Sequence, residues 1–95
     1  MQLKEAYLER AVGEVEDVAV RVALLKTRFA RQKVNVKLEH YWELEYVRTS
    51  FAQFKRAIQA LEDAEDAEID RTQRAVEMAW KDLIHAVEML LAALP

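Results

Sequence analysis

Two histidines hold the first claim to chemistry in this chain, because each has a carboxylate one helical turn away. His40 precedes Glu43, His85 precedes Glu88, and Asp82 stands three residues before His85. Spacing of three puts both groups on one helix face, as carboxylate-bridged metal sites require. In an antiparallel hairpin turning near residue 64, His40 and His85 come within a turn of each other. The order is nevertheless reversed from the di-iron bundle pattern, which repeats Glu-x-x-His and adds lone glutamates. His85 and Glu88 also fall at outward heptad positions. The expectation is two solvated or rim histidines, with no metal and no cofactor. Nucleophilic catalysis has no visible start either, since Thr27, Thr49, Ser50 and Thr72 are the aliphatic hydroxyls and none is placed in a turn with a histidine. Gly13 is the single glycine, which excludes a glycine-rich phosphate loop, and the absence of cysteine excludes disulfides and thiolate chemistry.

One enzyme pattern fits the size of the chain. Leu24, Leu25 and Arg28 resemble the Leu-Leu-x-x-Arg segment of the small all-helical chorismate mutases, where cationic side chains clamp a dicarboxylate. Arg10 lies close to the upstream arginine position but one residue out of phase, about 100° around the helix. The glutamine expected near the end is absent from residues 87–94. A clamp with its fork on the wrong face binds nothing, so the chain is expected not to be an enzyme, and no small-molecule substrate is evident.

Whatever these residues do, helices must position them. Leu8, Val15, Val22 and Phe29 stand seven apart, with Ala11, Val18 and Leu25 between them. Leu44, Phe51 and Ile58 alternate in the same way with Val47, Phe54 and Leu61, and Ile69, Val76, Leu83 and Leu90 with Thr72, Ala79, Ala86 and Ala93. A repeat of 3.5 keeps one stripe facing a neighbouring helix. The first and second stripes are out of register across residues 33–36, which predicts a turn at residues 32–36 with Asn35 as the N-cap of a new helix. The second register shift lies among the acids of residues 62–70, where Asp63 or Asp66 is a candidate cap. The reading is therefore one all-α domain over residues 1–95, with helices at about 2–31, 36–62 and 66–94. Short connections make neighbouring helices antiparallel, an up-down-up three-helix bundle. The rival is a long helical hairpin or rod in which the second and third tracts fuse across a stutter and oligomerisation completes the core.

The segments KEAYLER, VKLEHYWELEYVR and RAVEMAWKDLIHAVEML resemble a family of small bacterial coiled-coil or three-helix proteins of unassigned function. The corresponding positions are residues 39–46 at the start of the second helix, and Ala79, Trp80, Lys81, Asp82 and Leu83 in the third. The resemblance implies a helical fold and no catalytic residues.

Function then rests on surfaces left over. Ninety-five residues bury only about 60–65% of the unfolded surface, so a partner is expected. Residues 18–25 have Arg21 as their single polar member, and residues 83–94 have His85 and Glu88. Neither stretch has a full wet face, and in an up-down-up arrangement both lie at one pole with Tyr41, Trp42 and Tyr46. The expected interface is therefore Tyr41, Trp42, Tyr46, Ile84, Leu91 and Leu94, with Trp80 widening the core stripe. Lys26, Arg28, Arg31, Lys33 and Lys37 gather at the first turn as candidate anion contacts, opposite Glu62, Asp63, Glu65, Asp66, Glu68 and Asp70 at the second. Part of that polarity complements helix dipoles. A net charge of −3 argues against a dedicated nucleic-acid partner. No signal peptide and no apolar run near the ~20 residues of a membrane span is visible, so the cytoplasm is expected. Together these features point to a non-enzymatic helical interaction protein, a homo-oligomer or the partner of another helical protein. The alternative is a peripheral, lipid-associating helical protein in weak contact with anionic membranes.

Overall fold

A computed structural model of the chain describes residues 3–95. It is all-helical, with four α-helices, three of them long, and no strand among the described residues. They are α1 (Leu3–Ala30), α2 (Val34–Glu39), α3 (Tyr41–Asp63) and α4 (Ile69–Ala93), with a 3-10 turn at Asp66–Glu68 leading into α4. The described residues occupy an elongated body of 51 × 19 × 17 Å.

The near absence of glycine and proline lets the long helices run uninterrupted, and the heptad apolar residues give each a face to bury. Val18, Leu25, Val47, Phe54, Leu61, Val76, Leu83 and Leu90 are at most 2% exposed and belong to one apolar cluster shared by α1, α3 and α4. The flanking heptad members Leu8, Val15, Phe51 and Ile69 are half-buried against that cluster. α3 and α4 lie closest to each other, and buried small residues, Ser50 on α3 and Ala86 on α4, suit that approach. Val87 is fully buried although it stands off the heptad stripe. A helix that meets two neighbours needs a stripe wider than alternate heptad positions.

Both turns differ in detail from the sequence expectation. α1 ends in a tightened turn, with the amide of Gln32 donating to the Phe29 carbonyl (3.1 Å) and the Gln32 side chain donating to the Arg28 carbonyl (3.1 Å). The extended N-cap residue is Lys33, not Asn35, and it makes no side-chain capping bond. Asn35 lies inside α2 and is exposed. The early restart follows from Val36, whose half-buried side chain returns to the core soon after Phe29 leaves it.

The expected second helix is also interrupted at His40, which leaves helical geometry (φ −107°, ψ 13°). The ladder continues through the bend, from the His40 amide to the Val36 carbonyl and from the Leu44 amide to the His40 carbonyl, each 3.1 Å. Bending there sets Val36 on the core before the break and Leu44 after it. At the second turn Ala64 and Glu65 are extended, so the second and third tracts are separate helices. Neither Asp63 nor Asp66 caps α4; Glu68 takes the N-cap position without a side-chain capping bond. The acids of that turn still lie at the positive end of the α4 dipole.

Two long-range hydrogen bonds tie the ends. Lys4 Nζ donates to the Ala64 carbonyl (2.8 Å), and Gln32 Nε2 donates to the Pro95 carbonyl (3.4 Å). The start of α1 therefore lies beside the α3–α4 turn, and its end beside the end of α4.

Candidate functional site

α3 and α4 bound an open groove of about 580 Å³ whose walls include His40, Trp42, Glu43 and Tyr46 on one side and His85, Ala86, Met89, Leu90 and Ala93 on the other. It lies where the start of α3, just after the His40 bend, faces the last turns of α4. Small side chains at Ala86 and Ala93 leave room between its walls. Trp42 stands at its rim, 79% exposed, with its ring edge-on to Tyr41 at 5.1 Å between centroids. Tyr46 and Met89 are exposed beside it.

His40 and His85 thus do come to one groove. His40 Nδ1 is 3.0 Å from Glu43 Oε1 within its own helix turn, and His85 and Glu88 are exposed. Among the described residues no three His, Cys, Asp or Glu side chains converge as a metal ion would need. The hydroxyls of Thr27 and Thr72 are spent on backbone carbonyls one turn back, Ala23 for the first and Glu68 and Ile69 for the second, and Ser50 is buried. What remains is an apolar surface with imidazole and carboxylate at its edge, suited to binding.

The expected interface residues divide. Tyr41, Trp42 and Tyr46 are exposed, as an interface needs. Ile84 and Leu91 are half-buried against the core, and Leu94 is 5% exposed within it. Ile84 and Trp80 instead face α1, sharing a narrow cleft with Glu14, Val18 and Arg21. Position off the heptad stripe signified exposure only if α4 had one neighbour; α1 covers that flank. Trp80 widens the core as expected, and its buried Nε1 has no hydrogen-bond partner.

Met89 is the exposed apolar residue that α4 brings to the groove. Val20, Leu24, Val34 and Leu38, also outside the expected interface set, are each more than half exposed. Their signal was present in sequence, because each is a large apolar residue off its helix's core stripe. Together with Tyr41, Trp42, Tyr46 and Met89 they make eight of the ten exposed large hydrophobics among the described residues, all in the half of the molecule that holds the α1–α2 turn.

The five cations stand at that same end. Among the described residues none of Lys26, Arg28, Arg31, Lys33 and Lys37 has a carboxylate within ion-pair distance; the ion pairs present are Arg10–Glu14, His40–Glu43, Arg48–Glu45 and Arg71–Glu68. The acidic turn is separated from them by the 23 residues of α3, about 34 Å at 1.5 Å per residue. Burial, then the nearby Glu77 carboxylate that accepts its hydrogen bond (3.2 Å), raises the Tyr7 hydroxyl above its usual 10.0. It ties α1 to α4 far from the groove.

No helix among the described residues is long and apolar enough to cross a membrane. No protein-family model, curated protein or solved structure matches the chain.

Proposed function

We propose that the chain is an up-down-up antiparallel three-helix bundle that works as a non-enzymatic interaction protein, pairing with a second copy of itself through the α3–α4 groove. The observation that carries this reading is a knob beside a hole: Trp42, 79% exposed, stands at the edge of a groove of about 580 Å³ with Met89 on the opposite wall. Such a surface complements itself under a two-fold axis, each copy's Trp42 entering the other's groove. Trp and Tyr are the side chains on which interface energy concentrates. A standard interface takes about 800 Å² from each partner. That is roughly an eighth of the 6615 Å² surface, an area the groove and its flanking apolar residues can supply. The helix order is supported by the Lys4–Ala64 and Gln32–Pro95 hydrogen bonds, as expected if α1 runs alongside α4 in the same direction.

Sedimentation of the full chain tests the pairing. The wild type should sediment as a dimer at micromolar concentrations, and a Trp42→Gln, Met89→Gln double variant as a monomer with unchanged helical circular dichroism. A monomeric wild type across that range removes the reading.

A further inference from the structure

The tip of the molecule carries a second surface that the groove does not use. α2 buries none of its residues. Val34 and Leu38, one turn apart, are 71% and 72% exposed, and Tyr41 continues the row across the His40 bend at 46%. None of the three lines the groove. Lys33 and Lys37, also one turn apart, flank the row, while Lys26, Arg28 and Arg31 close α1 beside it. From residue 26 to residue 40 the single acid is Glu39, and among the described residues none of the five cations is ion-paired.

Charge decides what covers this tip. Two copies meeting tip to tip would bring ten cations together. A copy offering its acidic turn instead would match charge but not the apolar row, because no large hydrophobic residue between positions 59 and 70 is exposed. A phosphate polymer would engage the cations and leave Val34 and Leu38 in water. An anionic lipid surface answers both features at once, with negative headgroups over an apolar layer. We propose that the α2 tip docks on anionic phospholipid, with Val34 and Leu38 entering the boundary between headgroups and acyl chains, Tyr41 at headgroup level, and the five cations on the headgroups. The acidic turn, at the far end of the long axis, points away from the negative surface and so orients the molecule end-on. This docking uses residues other than those of the groove and does not depend on the pairing proposed there.

Co-sedimentation of the full chain with vesicles of phosphatidylcholine, alone or with about a third phosphatidylserine, across a salt series, tests the proposal. Each cation near such a leaflet multiplies binding about fivefold. The wild type should bind the phosphatidylserine vesicles at low salt and leave the neutral ones in suspension. Lys33→Gln with Lys37→Gln should weaken binding roughly 25-fold. Val34→Ser with Leu38→Ser should remove the part that survives added salt. Lys33, Val34 and Leu38 are exposed and Lys37 is half-buried outside the core, so circular dichroism should show helix content unchanged. Trp42→Gln with Met89→Gln should bind vesicles like the wild type even where it abolishes the dimer, which separates this inference from the groove reading. Equal binding to both vesicle types, no binding at low salt, or binding lost in the groove variant but kept in the tip variants overturns the inference.

Discussion

Replacing Leu25 with alanine should destabilise the chain by about 2–5 kcal/mol, whereas the same change at its neighbour Leu24 should cost under ~0.5 kcal/mol. The two leucines differ by 100° around α1 and by their whole environment, 0% exposed against 54%. Leu25 loses three carbons from the core, about 2.4 kcal/mol at ~0.8 per buried carbon, and the cavity left behind adds to that. A chain of this length is stable by about 5–14 kcal/mol, so the loss is a third or more of the total at the lower end. A deficit of about 3 kcal/mol lowers the melting midpoint by about 12–24 °C. Urea and thermal unfolding followed by circular dichroism give both quantities. They should be run at two protein concentrations, because pairing adds stability by mass action. α1 is less extensively engaged with α3 and α4 than these are with each other, which makes it the right helix to probe. Equal effects at the two leucines, or a cost below about 1 kcal/mol at Leu25, would refute the docking of α1 by this face.

Other consequences follow from single positions. Gly13→Ala should stabilise the chain by about 0.5–1 kcal/mol, because Gly13 is in α1 without a positive φ and an added Cβ meets nothing within 4 Å; a lower urea midpoint contradicts it. The Tyr7 pKa is raised in the folded state, so the stability it contributes is complete below the ordinary phenol pKa and is lost as pH rises through the folded value. The difference between wild-type and Tyr7→Phe absorbance titrations should therefore show one phenolate forming above pH 10.0, and a midpoint at or below it rules this out. Zinc added after chelation should leave the melting midpoint unchanged, since a site at a hundredfold excess over its dissociation constant would add ~2.7 kcal/mol. A rise that disappears in His40→Ala and His85→Ala would mean that the two imidazoles hold metal.

Helix content, the three long helices and most core residues were legible in the linear sequence, because a heptad repeat without glycine or proline specifies both period and buried face. Val22, Leu25, Phe54, Leu61, Leu83 and Leu90 follow from spacing alone and are buried. Charge polarity was legible too, since the basic and acidic runs lie next to the two turns. Helix ends were less so. Asn35 has the better capping chemistry, yet Lys33 takes the cap position, because a core contact by Val36 outweighs a local hydrogen bond. The bend at His40 has no marker in local propensity. Surface identity was decided only in three dimensions. Ile84, Leu91 and Met89 are all apolar and all off the heptad stripe, and their fates differ because α1 lies against one flank of α4 while the bent start of α3 leaves the other open. Periodicity along one helix states which residues face a neighbour; it carries no information on how many neighbours there are or on which side each one stands.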